Sequence, residues 1–182
     1  MSKQYVPVEY QASIAWFKLA ELVTRGERER AFNIYRLLIH SLNDDAYAAQ
    51  LKGDLWYAFN EYERARESYY HAAAWYDCSD RPYQAAFVYE RLAVVEYNSL
   101  SLRLALITRC AELSLRGHVV RYVNELVTLG EQQNQLEFCM TSLNEVQCSQ
   151  SAYTIIQHAS GKVRQSPREI IASACEQAGL TL

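Results

Sequence analysis

Apolar positions recur along this chain at three- and four-residue intervals almost without interruption, which is the period of an amphipathic helix. Ile14, Phe17, Ala20 and Val23 begin the first run, which stops at Arg25 and Gly26. Ala31, Ile34, Tyr35, Leu38 and Leu42 form the second, ended by Asn43, Asp44 and Asp45. A third covers Ala46 to Phe59 and a fourth Glu63 to Tyr76, with polar breaks at Asn60 and Glu61 and over Asp77 to Asp80. Pro82 suits the first turn of the next helix, where its missing N–H has no partner to lose. Further helices are expected over about 82–97, 100–115, 118–129, 132–147, 151–160 and 167–178, with Gly117, Gly130 and Gly161 read as stops between the later ones. Links this short make each helix antiparallel to the one before it. The pattern predicts a single all-α domain with no strand. Its helix pairs cover about 10–42, 46–76, 82–115 and 118–147, followed by C-terminal helices over 151–160 and 167–178.

The last of these has the clearest start signal. Ser166, Pro167 and Glu169 read as N-cap, first helical residue and capping-box partner, and Gly179 as the stop. Ile170, Ile171, Ala174, Cys175 and Ala178 make one apolar stripe, so the helix is expected to close the open end of the array. If a second copy of the chain covers the stripe instead, the protein is a homodimer.

Two segments repeat. Gly26, Ala31, Tyr35 and Leu38 align with Asn60, Ala65, Tyr69 and Ala72, and both the alanines and the tyrosines lie 34 residues apart. The fullest unit is Gly53, Trp56 and Tyr57 followed by Tyr62, Ala65, Tyr69 and Ala72, and a third begins at Ala86, Tyr89, Leu92 and Ala93. This resembles the tetratricopeptide repeat (TPR), a helix–turn–helix unit of about 34 residues. The resemblance is good over about 12–76, fair to 115 and weak beyond. It implies a TPR-like α-solenoid: a right-handed superhelical stack of about three to four antiparallel helix pairs with a C-terminal capping helix. The residues support such packing on their own. Two helices cross closely only where small residues meet, here Gly53, Ala65, Ala93 and Ala105, and Tyr35, Tyr69 and Tyr89 then fill the wedge between pairs.

Composition narrows the class further. Gly (6) and Pro (3) are scarce, which disfavours loop-rich and all-β folds. The net charge of -3 is spread evenly: residues 1–80 carry 9 basic and 12 acidic side chains and residues 81–182 carry 9 and 9, with no charged tail. The start of the chain lacks a secretory pattern and no stretch approaches the length of a membrane span, so a cytoplasmic protein with no membrane partner is expected. Cys78, Cys110, Cys139, Cys148 and Cys175 are odd in number and never at CxxC spacing, and each is expected to pack as a small hydrophobe.

Little in the chain points to catalysis. His40, His71, His118 and His158 fall on different helices without a ligand partner at metal spacing, and no phosphate loop, dinucleotide fingerprint or nucleophile elbow is present. No cofactor, metal or catalytic residue is expected, and the protein is read as a non-enzyme. Arg25, Arg28 and Arg30, with Arg64 and Arg66 at the equivalent loop, raise the question of nucleic acid. Glu27, Glu29, Glu61, Glu63 and Glu67 interleave with them and cancel the field, so no nucleic-acid partner is expected.

The resemblance implies instead a concave groove lined by the first helix of each pair. In this register the groove carries Trp16, Tyr47, Gln50, Asp54, Tyr57, Phe87, Glu90 and Tyr97, with Ser13, Ala20, Val23 and Val94 on the same face. Aromatics there anchor apolar side chains of a partner. The face shows Gln50, Asp54 and Glu90 and no basic residue, unlike TPR domains that grip acidic tails, so a peptide or helix that is apolar or partly basic is the expected ligand. The function that follows is a protein-binding adaptor or dedicated chaperone. Small acidic TPR chaperones of bacterial type III secretion are similar in size and class. A subunit of a larger assembly fits as well. An RNA-binding helical repeat and a small helical enzyme are the rival classes.

Overall fold

The structure, a computed structural model, describes residues 8–164, with side chains over 14–161. The chain there is all-helical: α1 (Val8–Thr24), α2 (Arg28–Leu42), α3 (Asp45–Ala58), α4 (Tyr62–Cys78), α5 (Pro82–Val95), α6 (Leu100–Glu112), α7 (Arg116–Gln132), α8 (Leu136–Asn144) and α9 (Gln150–Arg164), with no strand among the described residues. The helix expected over 167–178 lies outside the described residues. Contacts gather into two compact units, Met1–Val95 and Glu96–Leu182. The third expected pair is divided by this boundary, with α5 in the first unit and α6 in the second.

Five connections share one geometry. After α1, α3, α4, α6 and α7 one residue takes the left-handed conformation: Gly26 (φ 72°), Asn60 (60°), Asp80 (54°), Ser114 (58°) and Asn134 (55°). The N–H of the following residue then reaches back five positions, Glu27 to Leu22, Glu61 to Trp56, Arg81 to Tyr76, Leu115 to Cys110 and Gln135 to Gly130, at 2.7–2.9 Å. This closure satisfies carbonyls that the end of a helix leaves unpaired. The carbonyl of that same residue accepts from Ala31, Ala65, Ala85, Val119 or Cys139, which starts the next helix at once. All five of those side chains are completely buried. A small or β-branched side chain at this point, one turn into the new helix, lets it close on its predecessor.

The glycines expected as stops are not the residues that turn the chain. Gly117 and Gly130 lie within α7 and Gly161 within α9. Ser114 and Asn134 take the left-handed positions instead, because short polar side chains also tolerate that conformation. As a result α7 runs longer at both ends than 118–129, α8 is shorter than 132–147 and α9 is longer than 151–160. Gly130 has a packing role: a Cβ there would stand 2.7 Å from the Cys139 sulfur, so its absence lets α8 approach α7.

In the first unit the tightest approach is between α3 and α4. A Cβ on Gly53 would lie 2.6 Å from the ring of Tyr69, and Ala65 is fully buried, so the crossing expected at these two residues is present. The Tyr69 hydroxyl donates to Asp54 Oδ1 at 2.7 Å and the Tyr76 hydroxyl to Gln50 Oε1 at 2.9 Å. Later residues of α4 therefore meet earlier residues of α3, as antiparallel helices require. Leu19, Leu22, Ala31, Tyr35, Leu38 and Leu55 form a core shared by α1, α2 and α3.

The second unit repeats this plan with other residues. Arg103 on α6, largely buried, pairs with Glu125 on α7 at 3.2 Å. α9 packs on α6 and α7, and Leu106, Ile107, Val123, Leu126 and Ile156 of these three helices are buried. Ser149 ties the start of α9 to the end of α6, donating its N–H and its hydroxyl to the Glu112 carboxylate at 2.6 Å each. Those two bonds, the hydroxyl's first, hold the Glu112 carboxyl below the usual carboxylate range. Ala105, expected at a close crossing, is only half-buried.

The turn geometry makes two predictions. Replacing the sealed Ala65 by leucine should overpack the α3–α4 crossing and cost about 1–3 kcal/mol, while Arg66→Ala, which breaks a surface pair with Glu63, should cost less than about 0.5 kcal/mol. Equal shifts in thermal midpoint would contradict the crossing. Ser114→Gly should raise stability by about 0.5–1 kcal/mol, since glycine relieves the left-handed strain at some cost in chain entropy. A lowered urea midpoint for that variant would show that Ser114 is held by something other than its backbone geometry.

Candidate functional site

The face expected to bind a partner is built in the first unit by α1, α3 and α5. Trp16 on α1 packs against Tyr47 on α3, ring centroids 6.2 Å apart, and both are half-buried. From α3 the same face carries Gln50, Asp54 and Tyr57. Two salt bridges hold α5 alongside α3. Arg81, just before α5, reaches Asp44, just before α3, at 2.8 Å, and Arg91 approaches Asp54 at 4.0 Å. Both bridges span 37 positions. Equal spacing at two places ten residues apart means that α3 and α5 run parallel. Trp16–Tyr47 joins α1 to α3, and Arg28–Glu61, at 2.7 Å and a spacing of 33, joins α2 to α4. Asp44 is pulled in two directions. Burial pushes its carboxyl up, but the Tyr47 N–H and the Arg81 guanidinium together outweigh this and leave it below the usual range.

The eight residues expected in the groove divide into four sets. Gln50 and Asp54 accept the hydroxyls of Tyr76 and Tyr69, so they brace α4 under the face. Trp16, Tyr47 and Glu90 are half-buried within it. Tyr57 and Phe87 are exposed, at 37% and 43%, and can meet a partner. Tyr57 is steadied by Tyr62, edge to ring at 5.6 Å. Tyr97 is exposed too, at 66%, but it lies in the turn beyond α5 and lines a cleft of about 500 Å³ in the second unit with Arg103, Arg121 and Glu125. The expectation that no basic residue stands on the face is corrected. Arg91 lies over the Phe87 ring at 5.1 Å and beside Asp54. Its spacing from Asp54 is not a helix-turn spacing, so the pair is formed only by packing. Val94 is exposed further along α5.

The other side of α3 is different in character. Trp56 packs against Phe32, ring centroids 4.2 Å apart, and the guanidiniums of Arg28 and Arg64 each lie 4.8 Å from its ring. An open cleft of about 820 Å³ runs there between α2 and α3. Sequence reasoning treated these arginines as a solvated charged surface and missed the cleft, because its walls come from separate helices.

Among the described residues no three His, Cys, Asp or Glu side chains are grouped so as to hold a metal ion. Of the cysteines, Cys110 and Cys139 are buried and burial raises the Cys139 thiol, whereas Cys78 is exposed, contrary to its expected burial, because it lies on the last turn of α4. His40, His71, His118 and His158 are all exposed. No helix among the described residues is long and apolar enough to cross a membrane. Neither the family models nor the curated proteins compared with this chain give a match.

The tyrosines beneath the face generate a pH prediction. Burial raises the phenols of Tyr35, Tyr69 and Tyr76 above their usual value of 10.0, and at Tyr69 the nearby Asp54 adds to the effect. The unfolded chain releases these protons near pH 10 while the folded chain keeps them, so stability is full below about pH 10 and falls as pH rises beyond it. Urea midpoints taken on either side of that pH should show the loss, and Tyr69→Phe should make it shallower. An unchanged slope in the variant would mean that Tyr69 ionises as freely folded as unfolded.

Proposed function

We propose that the chain is a non-enzymatic, TPR-like helical-repeat protein that holds a segment of another protein on the α1–α3–α5 face, as an adaptor or dedicated chaperone. The observation that carries this reading is the recurrent spacing of side-chain contacts. Residues 33 to 37 positions apart bond through their side chains in the first unit at Arg28–Glu61 and Asp44–Arg81 and in the second at Glu112–Ser149, and the Gln133 side chain donates to the backbone carbonyl of Asn98. Contacts at about one repeat length are what a stack of helix pairs produces when each pair meets the next in the same way. A solenoid of this kind buries its pairs against one another and leaves a face of first helices to solvent.

Chemistry of the face sets the ligand class. Tyr57 and Phe87 are exposed aromatics flanking a polar line of Asp54 and Arg91, and such anchors dominate interface energy when a partner covers them. An apolar peptide or helix with a polar group opposite Asp54 fits this arrangement, and the alternating Asp54 and Arg91 leave the face without a strong sign of charge. Arrays of this kind need no reaction chemistry to act, because sequestering or docking a segment is the whole function.

Affinity capture from the native cell extract, followed by titration of the captured protein, tests the proposal. Tyr57→Ala or Phe87→Ala should weaken that interaction about tenfold or more with helical circular dichroism unchanged. If charge reversals at Glu63 and Glu67, on the exposed side of α4, weaken it more than either aromatic variant, the face is assigned to the wrong side.

A further inference from the structure

The cleft between α2 and α3 has a charge arrangement that its own residues do not satisfy. Arg36 on α2 and Lys52 on α3 both line it and both are exposed. Phe32 contacts Trp56 across the same seam, and antiparallel helices then place Arg36, one turn further along α2, opposite Lys52, one turn back along α3. Two cations therefore face each other across a gap. Arg36 bonds only the Asn33 side chain of its own helix, and neither cation has a carboxylate partner among the described residues. Arg28, by contrast, is neutralised by Glu61 at 2.7 Å. Below the two cations the walls are apolar: Phe32, Ile39 and Trp56.

We infer that this cleft is a second binding site, which takes an acidic peptide segment carrying an aromatic or aliphatic side chain next to its carboxylates. Charge complementarity selects the occupant. A carboxylate between Arg36 and Lys52 replaces a repulsion with two attractions, and the adjoining apolar side chain covers Phe32 and Trp56. Shape agrees with an extended peptide. The lining runs from Arg28 to Ile39, about three helical turns or roughly 16 Å at the rise of an α-helix. That length matches about five extended residues. A nucleic-acid backbone is a poorer match, because it needs a continued run of cations and Glu29 stands on the same lining. The site goes beyond the aromatic face, since Lys52 and Trp56 project from α3 roughly 140° and roughly 100° round the helix from Tyr57.

The test is fluorescence anisotropy on the full chain. The probe is a labelled pentapeptide with carboxylates on either side of one phenylalanine. Control probes are the same peptide with lysines for carboxylates and a labelled oligouridine. The acidic peptide should bind, more tightly at low salt. Arg36→Glu combined with Lys52→Glu should weaken it about tenfold or more, the milder Lys52→Ala should weaken it less, and Tyr57→Ala should leave it unchanged. That last variant separates this site from the face proposed above. Both cations are exposed, so the reversals leave the core intact, and circular dichroism checks this. The inference is overturned if the acidic peptide binds no better than the basic one, if the double reversal binds as well as the parent chain, or if oligouridine binds more tightly than the acidic peptide.

Discussion

Everything in the first unit rests on how closely α4 can lie against α3. The ring of Tyr69 occupies the space where a side chain on residue 53 would be, so the approach exists only because that residue is glycine. Once α4 is there, the Tyr69 and Tyr76 hydroxyls reach Asp54 and Gln50 and fix α3 about its own axis. That rotation points Tyr57 and Trp56 in different directions, roughly 100° apart round the helix. A helix with both faces in use cannot turn to favour one without losing the other, and two hydroxyl bonds to half-buried acceptors oppose such a turn by about 1 kcal/mol each.

The turns serve the same end by economical means. One left-handed residue and one carbonyl accepting the N–H five positions on suffice to reverse the chain, and the sealed side chain after the turn sets how near the helices come. Alanine at 31, 65 and 85 gives close pairs in the first unit. Val119 and Cys139 hold the same place in the second, where Gly130 rather than the entering residue supplies the room for α8. One turn geometry thus accommodates different side chains by moving the small residue from one helix to the other.

Charge pairs then decide which surfaces stay available. Salt bridges on the exposed surface contribute little stability, commonly under about 1 kcal/mol, yet Asp44–Arg81 and Asp54–Arg91 hold α5 in register with α3. They also neutralise the middle of the aromatic face, so recognition there rests on shape and apolar area. Across α3 the balance is reversed: Glu61 is used on Arg28, and Arg36 and Lys52 keep their charge in the open. One helix thereby separates a nearly neutral aromatic face from a cationic cleft.

Helical class, most helix boundaries and the small residues at the α3–α4 crossing were legible in the sequence, because each depends on neighbours three, four or about 34 positions away and recurs as a pattern. The 34-residue interval between Ala31 and Ala65 and between Tyr35 and Tyr69 carried the repeat. The turn residues were half legible. Gly26 and Asn60 stood out, but Ser114 and Asn134 did not, since serine and asparagine are ordinary on helix surfaces and only the backbone angle distinguishes them. The site depended on tertiary structure. Whether Gln50 and Asp54 face a partner or a tyrosine hydroxyl, whether Arg91 lies beside Phe87, and whether Arg36 meets Lys52 are all set by the rotation and register of packed helices. A side chain's sequence neighbours determine the face on which it stands; the helix packed against that face determines whether it is left free to bind.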